Sequence, residues 1–133
     1  MRRSIFFRTH AASLQGMPRL RVLHIASWYP SESHGTLGNF VQRHVEASAA
    51  RVDAEVWYVA RGPARATERT HRGVRERITY ANGRLPWFLQ VTRALLRMAK
   101  DQPRPDAIHL HVLYPAGIAA RLLARRWGVP LIA

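Results

Sequence analysis

The stretch of sequence that decides the fold is LRVLHIASWYPSESHGTLGNFVQRHVEASAA, residues 20–50. Residues 20–27 form a short branched apolar run ending in turn-forming residues, a pattern that predicts a buried β-strand. From Asn39, a credible N-cap, to Ala50 the inward positions recur at three- and four-residue spacing, which predicts an amphipathic helix. That inward face comprises Phe40, Val41, His44, Val45 and Ser48. The loop between strand and helix is longer than the roughly two to six residues that most such connections need.

The rest of the chain alternates strands with helices. Further strands are predicted at residues 54–60, 77–81, 107–113 and after Gly128, because each is a short run rich in apolar and β-prone residues. The arginine-rich residues 61–77 are punctuated by glycine and proline and predict a solvent-exposed connection. Parallel strands need crossover connections, and the helices between the strands supply them. The alternation therefore predicts an α/β fold: a Rossmann-like, doubly wound, mostly parallel sheet of about five strands.

Two more helices complete the predicted pattern. The first follows Pro86, and the second opens near Pro115 and Gly117 and ends at Gly128. The first is expected to bury Trp87, Val91, Leu95 and Met98. The second is expected to bury Ile118, Leu122 and Leu123 and to expose Arg121, Arg125 and Arg126.

Length and composition exclude several classes of protein. The 133 residues suffice for one domain with a real core, and the absence of cysteine excludes a disulfide framework and a thiolate metal site. No apolar run approaches the roughly 18 to 20 residues that a membrane span requires. Residues 1–16 contain three arginines and an apolar run too short for a signal peptide. We therefore expect a flexible extension over residues 1–16, a domain over residues 17–133, and Met17 as an alternative start.

The chain is strongly basic, with 21 Lys and Arg against 8 Asp and Glu and a net charge of +13. Lys100 is the only lysine, and the arginines are scattered through every segment. This distribution favours a solvated basic surface and makes a nucleic-acid partner the weaker interpretation. Attraction to an anionic membrane surface or to a phosphorylated substrate ranks between the two.

Two predicted loops carry the residues best suited to chemistry, and both lie at the carboxyl edge of the sheet, where open parallel sheets collect ligands. In the first loop, Gly35 and Gly38 allow backbone conformations that a side chain would forbid, and they precede a helix N-terminus that favours an anion. There is no dinucleotide fingerprint and no Walker lysine, so a plain loop stays the alternative. Trp28 and Tyr29 either cap the core or offer flat rings to a carbohydrate. Hydroxyl and amide groups beside them belong to Ser27, Ser31, Ser33, Thr36 and Asn39.

The second loop follows the strand that holds His109 and His111. The two histidines face the same side of a strand because they are two residues apart. No third ligand stands at a metal-site spacing, so neither a metal nor a cofactor is expected. His24 and His109 are interpreted as core histidines, and His111 is the candidate for a site. No catalytic residue is assigned, because no Ser-His-Asp order or carboxylate pair stands out.

Two blocks of the sequence resemble the family 4 retaining glycosyltransferases. RVLHIASWYPSESHGTLGNFVQRHVEA, residues 21–47, resembles their first strand, glycine-containing loop and first helix. PDAIHLHVLYPAGIAARLLARRWGVPLIA, residues 105–133, resembles their P-D-hydrophobic-hydrophobic-H-x-H … P-x-G segment and the strand that follows. Order and spacing match over residues 20–133, with residues 61–86 matching only in character.

The resemblance implies half of a GT-B architecture, in which two Rossmann-like domains face each other across a cleft. The N-terminal domain holds the acceptor, a glycan or a lipid-linked acceptor, and the C-terminal domain binds a UDP- or GDP-sugar. Transfer retains the anomeric configuration and generally needs no metal. The implied substrate-binding residues are Tyr29, Pro30, Gly35, Thr36, Gly38, Asn39, His111, Tyr114, Pro115 and Gly117. Because acceptors of this family are often membrane-borne, we expect a cytoplasmic protein with peripheral contact at the inner membrane face.

The sequence departs from the family pattern at its carboxyl end. It stops before the next histidine-containing loop of these enzymes and before their acidic donor motif. We therefore expect an acceptor-side domain, truncated at its C-terminal end and inactive without a C-terminal donor-binding domain or a separate chain as its partner. Two alternatives stay open, a non-catalytic basic Rossmann-like binding module and a decayed remnant.

Overall fold

Six strands and three helices make up residues 19–133, the part of the chain that this computed structural model describes. The extension predicted at residues 1–16 lies outside the described residues. The strands are β1 (Arg21–Ala26), β2 (Asp53–Arg61), β3 (Thr67–His71), β4 (Val74–Ala81), β5 (Ala107–His111) and β6 (Leu131–Ile132). The helices are α1 (Asn39–Ser48), α2 (Trp87–Met98) and α3 (Gly117–Trp127).

The sheet confirms the predicted doubly wound, mostly parallel arrangement. Its strand order is β3-β4-β2-β1-β5-β6, and every neighbouring pair is parallel except β3 and β4. The chain builds outward from β1 to β4 on one side, and α2 then carries it back to β5 on the other side of β1. This reversal places the topological switch point between β1 and β5, where open α/β sheets bind ligands.

The arginine-rich segment after β2 differs from its prediction. Much of it forms β3, an edge strand antiparallel to β4, and β4 itself begins before residue 77. The turn between these strands holds Arg72 and Gly73 at φ 50° and 80°, the left-handed conformation that tight hairpins require. Arg69 lies opposite Glu76 and pairs with it, so charged residues stabilise the strand here. The segment is exposed, as predicted, but the prediction of an irregular connection was wrong, because much of it forms a strand and the sheet has six strands instead of about five.

One face of the sheet packs against α2 and α3. The buried residues of this core include Leu23, Ile25, Trp57, Val91, Leu95, Ile108 and Leu123. Alanines make up most of the inward face of α3, namely Ala119, Ala120 and Ala124, and the buried Ala116 directly precedes the helix. Ile118 and Leu122 are 50% and 44% exposed because they lie on the flank beside the alanines. Their predicted burial was wrong.

The opposite face of the sheet packs against α1. Val41 and Val45, four residues apart, are buried against β1, β2 and β4. Phe40 is 59% exposed, because the helix turns about 100° between neighbouring residues and points it aside. The predicted inward position was wrong for Phe40 and also for His44, which is exposed. His109 and His111 of β5 are on this same face and are only partly buried.

A groove between α2 and β4 is lined by several arginines. Arg77, Arg84, Arg93 and Arg97 line this groove, whose volume is about 650 Å³. We call it the arginine groove. Among the helices that the structure describes, none is long and apolar enough to cross a membrane.

Candidate functional site

The candidate site lies at the carboxyl ends of β1 and β5, at the switch point. Two loops leave the sheet here: the glycine loop, residues 27–38, and the proline loop, residues 112–116. The buried Ser27 joins them, since its backbone N–H donates to His111 O at 3.1 Å and its hydroxyl donates to Val112 O at 2.7 Å. The two loops predicted to share a site are therefore fixed side by side.

Gly38 fixes the end of the glycine loop. Its φ of 77° is left-handed, and a Cβ at this position would lie 2.6 Å from Tyr29 N. A Cβ on Gly35 would meet nothing within 4 Å. The prediction that the backbone requires both glycines is thus confirmed for Gly38 alone. Gly38 is also the N-cap of α1, so the N-cap prediction for Asn39 was wrong.

Tyr29 holds the glycine loop from inside the core. Its side chain is fully buried, and its hydroxyl donates a 2.5 Å hydrogen bond to Glu76 Oε2 on β4. Glu76 also accepts a hydrogen bond from Arg69 Nε at 2.7 Å and one from Gln42 Nε2 at 3.4 Å. Burial, followed by the hydrogen bond with Glu76, raises the pKa of Tyr29 above its usual value. The structure argues against the expectation of a substrate-binding Tyr29, because its fully buried ring supports the loop from inside the core.

The outer part of the glycine loop is held by neighbouring strands and open to solvent. The Ser33 hydroxyl donates to Arg61 O at 2.7 Å, and the backbone N–H of Glu32 donates to the Tyr80 hydroxyl at 3.0 Å. Among the predicted binding residues of this loop and α1, Gly35, Thr36 and Asn39 are exposed, Pro30 is partly buried and Gly38 is buried. Thr36 and Asn39 are therefore the predicted polar side chains that a ligand can reach here.

The proline loop has an uncommon backbone. Val112 has a φ of 70°, which is rare for a β-branched residue, and the bond before Pro115 is cis. The backbone N–H of Ala116 donates to the Ser27 hydroxyl at 3.4 Å, which adds a further link to the glycine loop. Pro115 is buried and Gly117 is partly buried, so both shape the loop.

Large apolar side chains are exposed around both loops. In the proline loop, Leu113 and Tyr114 are 73% and 63% exposed. Beside the glycine loop, Trp28 and Phe40 meet edge to face with ring centroids 6.3 Å apart, and both are more than two-fifths exposed. Where such side chains adjoin one another, an exposed apolar surface favours contact with a ligand or another protein surface. Tyr114 is thus the most accessible aromatic ring among the predicted binding residues.

Four histidines gather beside the loops on the α1 side of the sheet. His24 of β1 lies opposite His109 of β5, and His24 Nδ1 lies 2.9 Å from His111 Nε2. The rings of His109 and His111 stack with centroids 4.1 Å apart. His44 of α1 packs edge-on against both, at centroid distances of 5.5 and 5.3 Å. We call these four residues the histidine cluster.

Hydrogen bonds fix the tautomers at the buried end of the histidine cluster. The Ser48 hydroxyl donates to Val45 O at 2.7 Å, so its oxygen accepts from His24 Nε2, 3.2 Å away. His24 therefore carries its proton on Nε2 and directs the lone pair of Nδ1 towards His111. His111 donates its Nε2–H to that lone pair.

The environment keeps three of these imidazoles neutral. Burial, and after it the proximity of His111, His109 and His44, lowers the pKa of His24 from 6.5 to about 3. Burial, followed by the proximity of His109 and His44, lowers the pKa of His111 to about 4. Burial and the proximity of His44 also lower the pKa of His109. At neutral pH each of the three rings can therefore donate one hydrogen bond and accept another.

Sequence reasoning identified the two loops and His111 but missed the histidine cluster as a unit. His109 was interpreted as a core residue, yet it is only partly buried and stacks on His111. His24 is a buried strand residue, as expected, but it also contacts His111, which is 87 positions away in the sequence. Only the pairing of β1 with β5 brings these residues together. Strand alternation placed His109 and His111 on one face, and it carries no information on which strand lies beside them.

Comparison with known protein families adds one finding. A family model described as a glycosyl transferase 4-like domain matches residues 35–133, more than half of the chain. The matched region begins inside the glycine loop and includes the proline loop and both histidines of β5. A comparison with curated proteins found no match.

Proposed function

Since the chain belongs to the glycosyl transferase 4-like domain family, we propose that it is the acceptor-side domain of a retaining glycosyltransferase of GT-B architecture. Such an enzyme moves a sugar from a UDP- or GDP-sugar to a glycan or a lipid-linked acceptor. The glycine loop and the proline loop form the acceptor side of its cleft. A donor-binding domain, on further polypeptide or on a separate chain, forms the other side.

The junction at Ser27 carries this proposal. Its backbone and hydroxyl hold the ends of β1 and β5 together, with hydrogen bonds to His111 and Val112. The junction coincides with the topological switch point, the place where open α/β sheets bind ligands. Two segments that resemble separate glycosyltransferase motifs in the sequence therefore share one wall.

The accessible groups along this wall suit a carbohydrate. Ligand sites combine apolar and aromatic surface with a few placed polar groups. Tyr114 and Trp28 offer exposed rings, and Thr36 and Asn39 offer exposed hydroxyl and amide groups. The partly buried His111 adds a neutral imidazole to the same wall. We expect the rings to stack on an acceptor sugar and the polar groups to bind its hydroxyls.

The exposed apolar side chains also support a second domain across the cleft. Leu113, Tyr114 and Phe40 are each more than half exposed. Covering apolar side chains of this size with another surface is favourable, because it removes them from water. A donor-binding domain that closes over the cleft would cover them.

Reconstitution tests the proposed function. The full chain would be assayed alone and together with the polypeptide encoded immediately downstream, with a panel of UDP- and GDP-sugars. We expect donor binding and turnover only when both polypeptides are present. If no nucleotide-sugar binds to either preparation, the transferase function is refuted and a non-catalytic binding module takes its place.

The arginine groove favours a second role, contact with an anionic membrane surface. Each arginine near such a surface contributes on the order of 1 kcal/mol of attraction. Arg93 and Arg97 lie one helical turn apart on α2, and Arg84 precedes the same helix. The groove would therefore hold the domain near a membrane-borne acceptor.

Vesicle binding distinguishes a specific effect of the arginine groove from a general effect of the net positive charge. Arg93→Gln with Arg97→Gln should weaken binding to vesicles containing phosphatidylserine and leave the weak binding to phosphatidylcholine vesicles unchanged. Arg125→Gln with Arg126→Gln, an exposed pair on α3, removes the same charge elsewhere. Equal losses in the two double variants would show that net charge alone, and not the groove, attracts the membrane.

A further inference from the structure

We propose that His24, His109 and His111 form a binding site for a divalent transition-metal ion, with Zn²⁺ as the ion that fits the ligands best. The proposal goes beyond sugar transfer, for which the family resemblance implied no metal, and shares only His111 with the wall that the proposed function gives to the acceptor. It also departs from the expectation, drawn from the sequence, that no third ligand is available. The third ligand comes from β1.

The fold brings the three imidazoles to one point. β1 and β5 are neighbouring parallel strands, and their register sets His24 directly opposite His109. One nitrogen from each of the three rings can be chosen so that all three lie within 4.8 Å of one another. His24 is 1% exposed, and its two partners are partly buried. Two adjacent strands of the sheet therefore supply a rigid base for the site.

Ser48 orients His24 as a metal ligand would be oriented. A histidine that binds a metal usually donates its other ring N–H to a fixed acceptor, which sets the tautomer and the ring orientation. Ser48 Oγ is such an acceptor, because its own proton is committed to Val45 O. The lone pair of His24 Nδ1 takes no part in the hydrogen bond with Ser48. It is directed into the histidine cluster instead.

A metal ion would take the place of the proton that lies between His24 Nδ1 and His111 Nε2. His24 Nδ1 and His111 Nε2 lie 2.9 Å apart, joined by a hydrogen bond. Two nitrogens on one tetrahedral Zn²⁺, each at about 2.0–2.1 Å from the ion, lie about 3.3 Å apart. The ring of His111 would move outward by a few tenths of an ångström and carry its proton on Nδ1 instead. No net proton need leave the neutral pair.

The donor set selects the class of ion. Imidazole nitrogens suit Zn²⁺, Ni²⁺, Co²⁺ and Cu²⁺, whereas Mg²⁺ and Ca²⁺ prefer oxygen ligands. Ligand nitrogens must be unprotonated, and the environment of His24 and His111 keeps them neutral at pH 7. Three histidines leave one tetrahedral position for water or for the neighbouring His44, whose ring centroid lies 5.3 Å from that of His111.

Titration of the full chain with Zn²⁺ and with Co²⁺ tests the site. We expect one ion per chain by calorimetry, and the intense visible absorption of tetrahedral Co²⁺. His109→Gln and His111→Gln should each weaken binding at least about tenfold, since even loss of an outer hydrogen-bond partner of a ligand costs about 10- to 100-fold. Mg²⁺ should not compete.

A matched variant separates this site from adventitious binding. His71→Gln removes a histidine on β3, beside Glu46 and outside the histidine cluster. It should bind Zn²⁺ as the unchanged chain does. Equal affinity in all variants, or no saturable binding at all, would overturn the proposal.

A direct readout on the unchanged chain guards against variants that fail to fold. The ¹⁵N chemical shifts of the imidazoles report which ring nitrogens carry protons. On addition of Zn²⁺ we expect the shifts of His24 Nδ1 and His111 Nε2 to change together, with His71 unaffected. Shifts that stay fixed in the histidine cluster at saturating Zn²⁺ would place the ion elsewhere and refute the site.

Discussion

The hydroxyl of Tyr29 donates a 2.5 Å hydrogen bond to the carboxylate of Glu76 and so joins the glycine loop to β4 inside the core. The two side chains are 0% and 1% exposed. A buried carboxylate is costly unless hydrogen bonds satisfy its oxygens, and Tyr29 and Arg69 supply two of these bonds. The position of the candidate site is therefore coupled to the stability of the sheet.

Tyr29→Phe should destabilise the fold because it removes a hydrogen bond from a buried carboxylate while keeping the ring. We expect the free energy of unfolding to fall by about 1–3 kcal/mol in urea denaturation. Tyr114→Phe removes an exposed hydroxyl and serves as the control, with a change near zero. Equal stability of the two variants would show that the Tyr29 hydroxyl contributes nothing.

Gly38→Ala should destabilise the fold far more than Gly35→Ala. The added Cβ at Gly38 would meet the backbone of Tyr29 and hold an alanine at φ 77°, a strain of about 1–3 kcal/mol before the clash is counted. At Gly35 the added Cβ meets open space. Thermal unfolding of the two variants compares them directly, and similar melting temperatures would contradict the described path of the glycine loop.

Acid should destabilise the metal-free protein. The pKa of His24 falls from 6.5 to about 3 on folding, so between these values the unfolded chain binds more protons than the folded chain. The stability from this group is complete above pH 6.5 and is lost as the pH falls towards 3. His109 and His111 on β5 face His24, as does His44 on α1, and their proximity adds to the effect. A shift of this size corresponds to roughly 4–5 kcal/mol.

Urea unfolding at pH 7.5 and pH 5, in the presence of a chelator, measures this dependence. The unchanged chain should lose stability at the lower pH, and His24→Gln should reduce the difference because glutamine does not titrate, while His109 and His111 keep their own contributions. His71→Gln should keep the full difference, since His71 lies outside the histidine cluster. An unchanged midpoint between the two pH values would contradict a neutral, buried His24.

Sequence periodicity predicted most of the fold because most elements have one buried face. β1, β2, α2 and β5 follow apolar patterns that the structure reproduces. β3 escaped prediction because its residues are almost all exposed, and it is stabilised by pairing with β4 instead of by burial. Ile118 and Leu122 were misplaced because alanines can form the inward face of a helix that packs closely on its neighbours.

The candidate site was only partly predictable for a related reason. Motif resemblance located the glycine and proline loops, and the glycine at position 38 was correctly given a backbone role. Whether Tyr29 faces a ligand or the core depends on Glu76 of β4, a partner 47 positions away. The contact between His24 and His111 likewise depends on strand order. Such long-range pairings follow from topology, which local patterns do not contain.

The proposed acceptor-side role can be tested at the accessible ring of Tyr114 in the proline loop, which is 63% exposed beside the switch point. In the enzyme reconstituted with its donor-binding polypeptide, Tyr114→Ala should raise the KM for the acceptor roughly tenfold, or about 1.4 kcal/mol. The KM for the nucleotide-sugar should stay within about twofold, because the proposed function assigns the donor to the other domain. Thr70→Ala, exposed on β3, is the control and should change neither constant.

Steady-state kinetics with both substrates varied is thus the measurement that tests the central claim most directly. A rise in the acceptor KM alone is the predicted result and assigns the proline loop to the acceptor. A rise in the nucleotide-sugar KM with the acceptor KM unchanged would place the donor at this wall and contradict an acceptor-side domain.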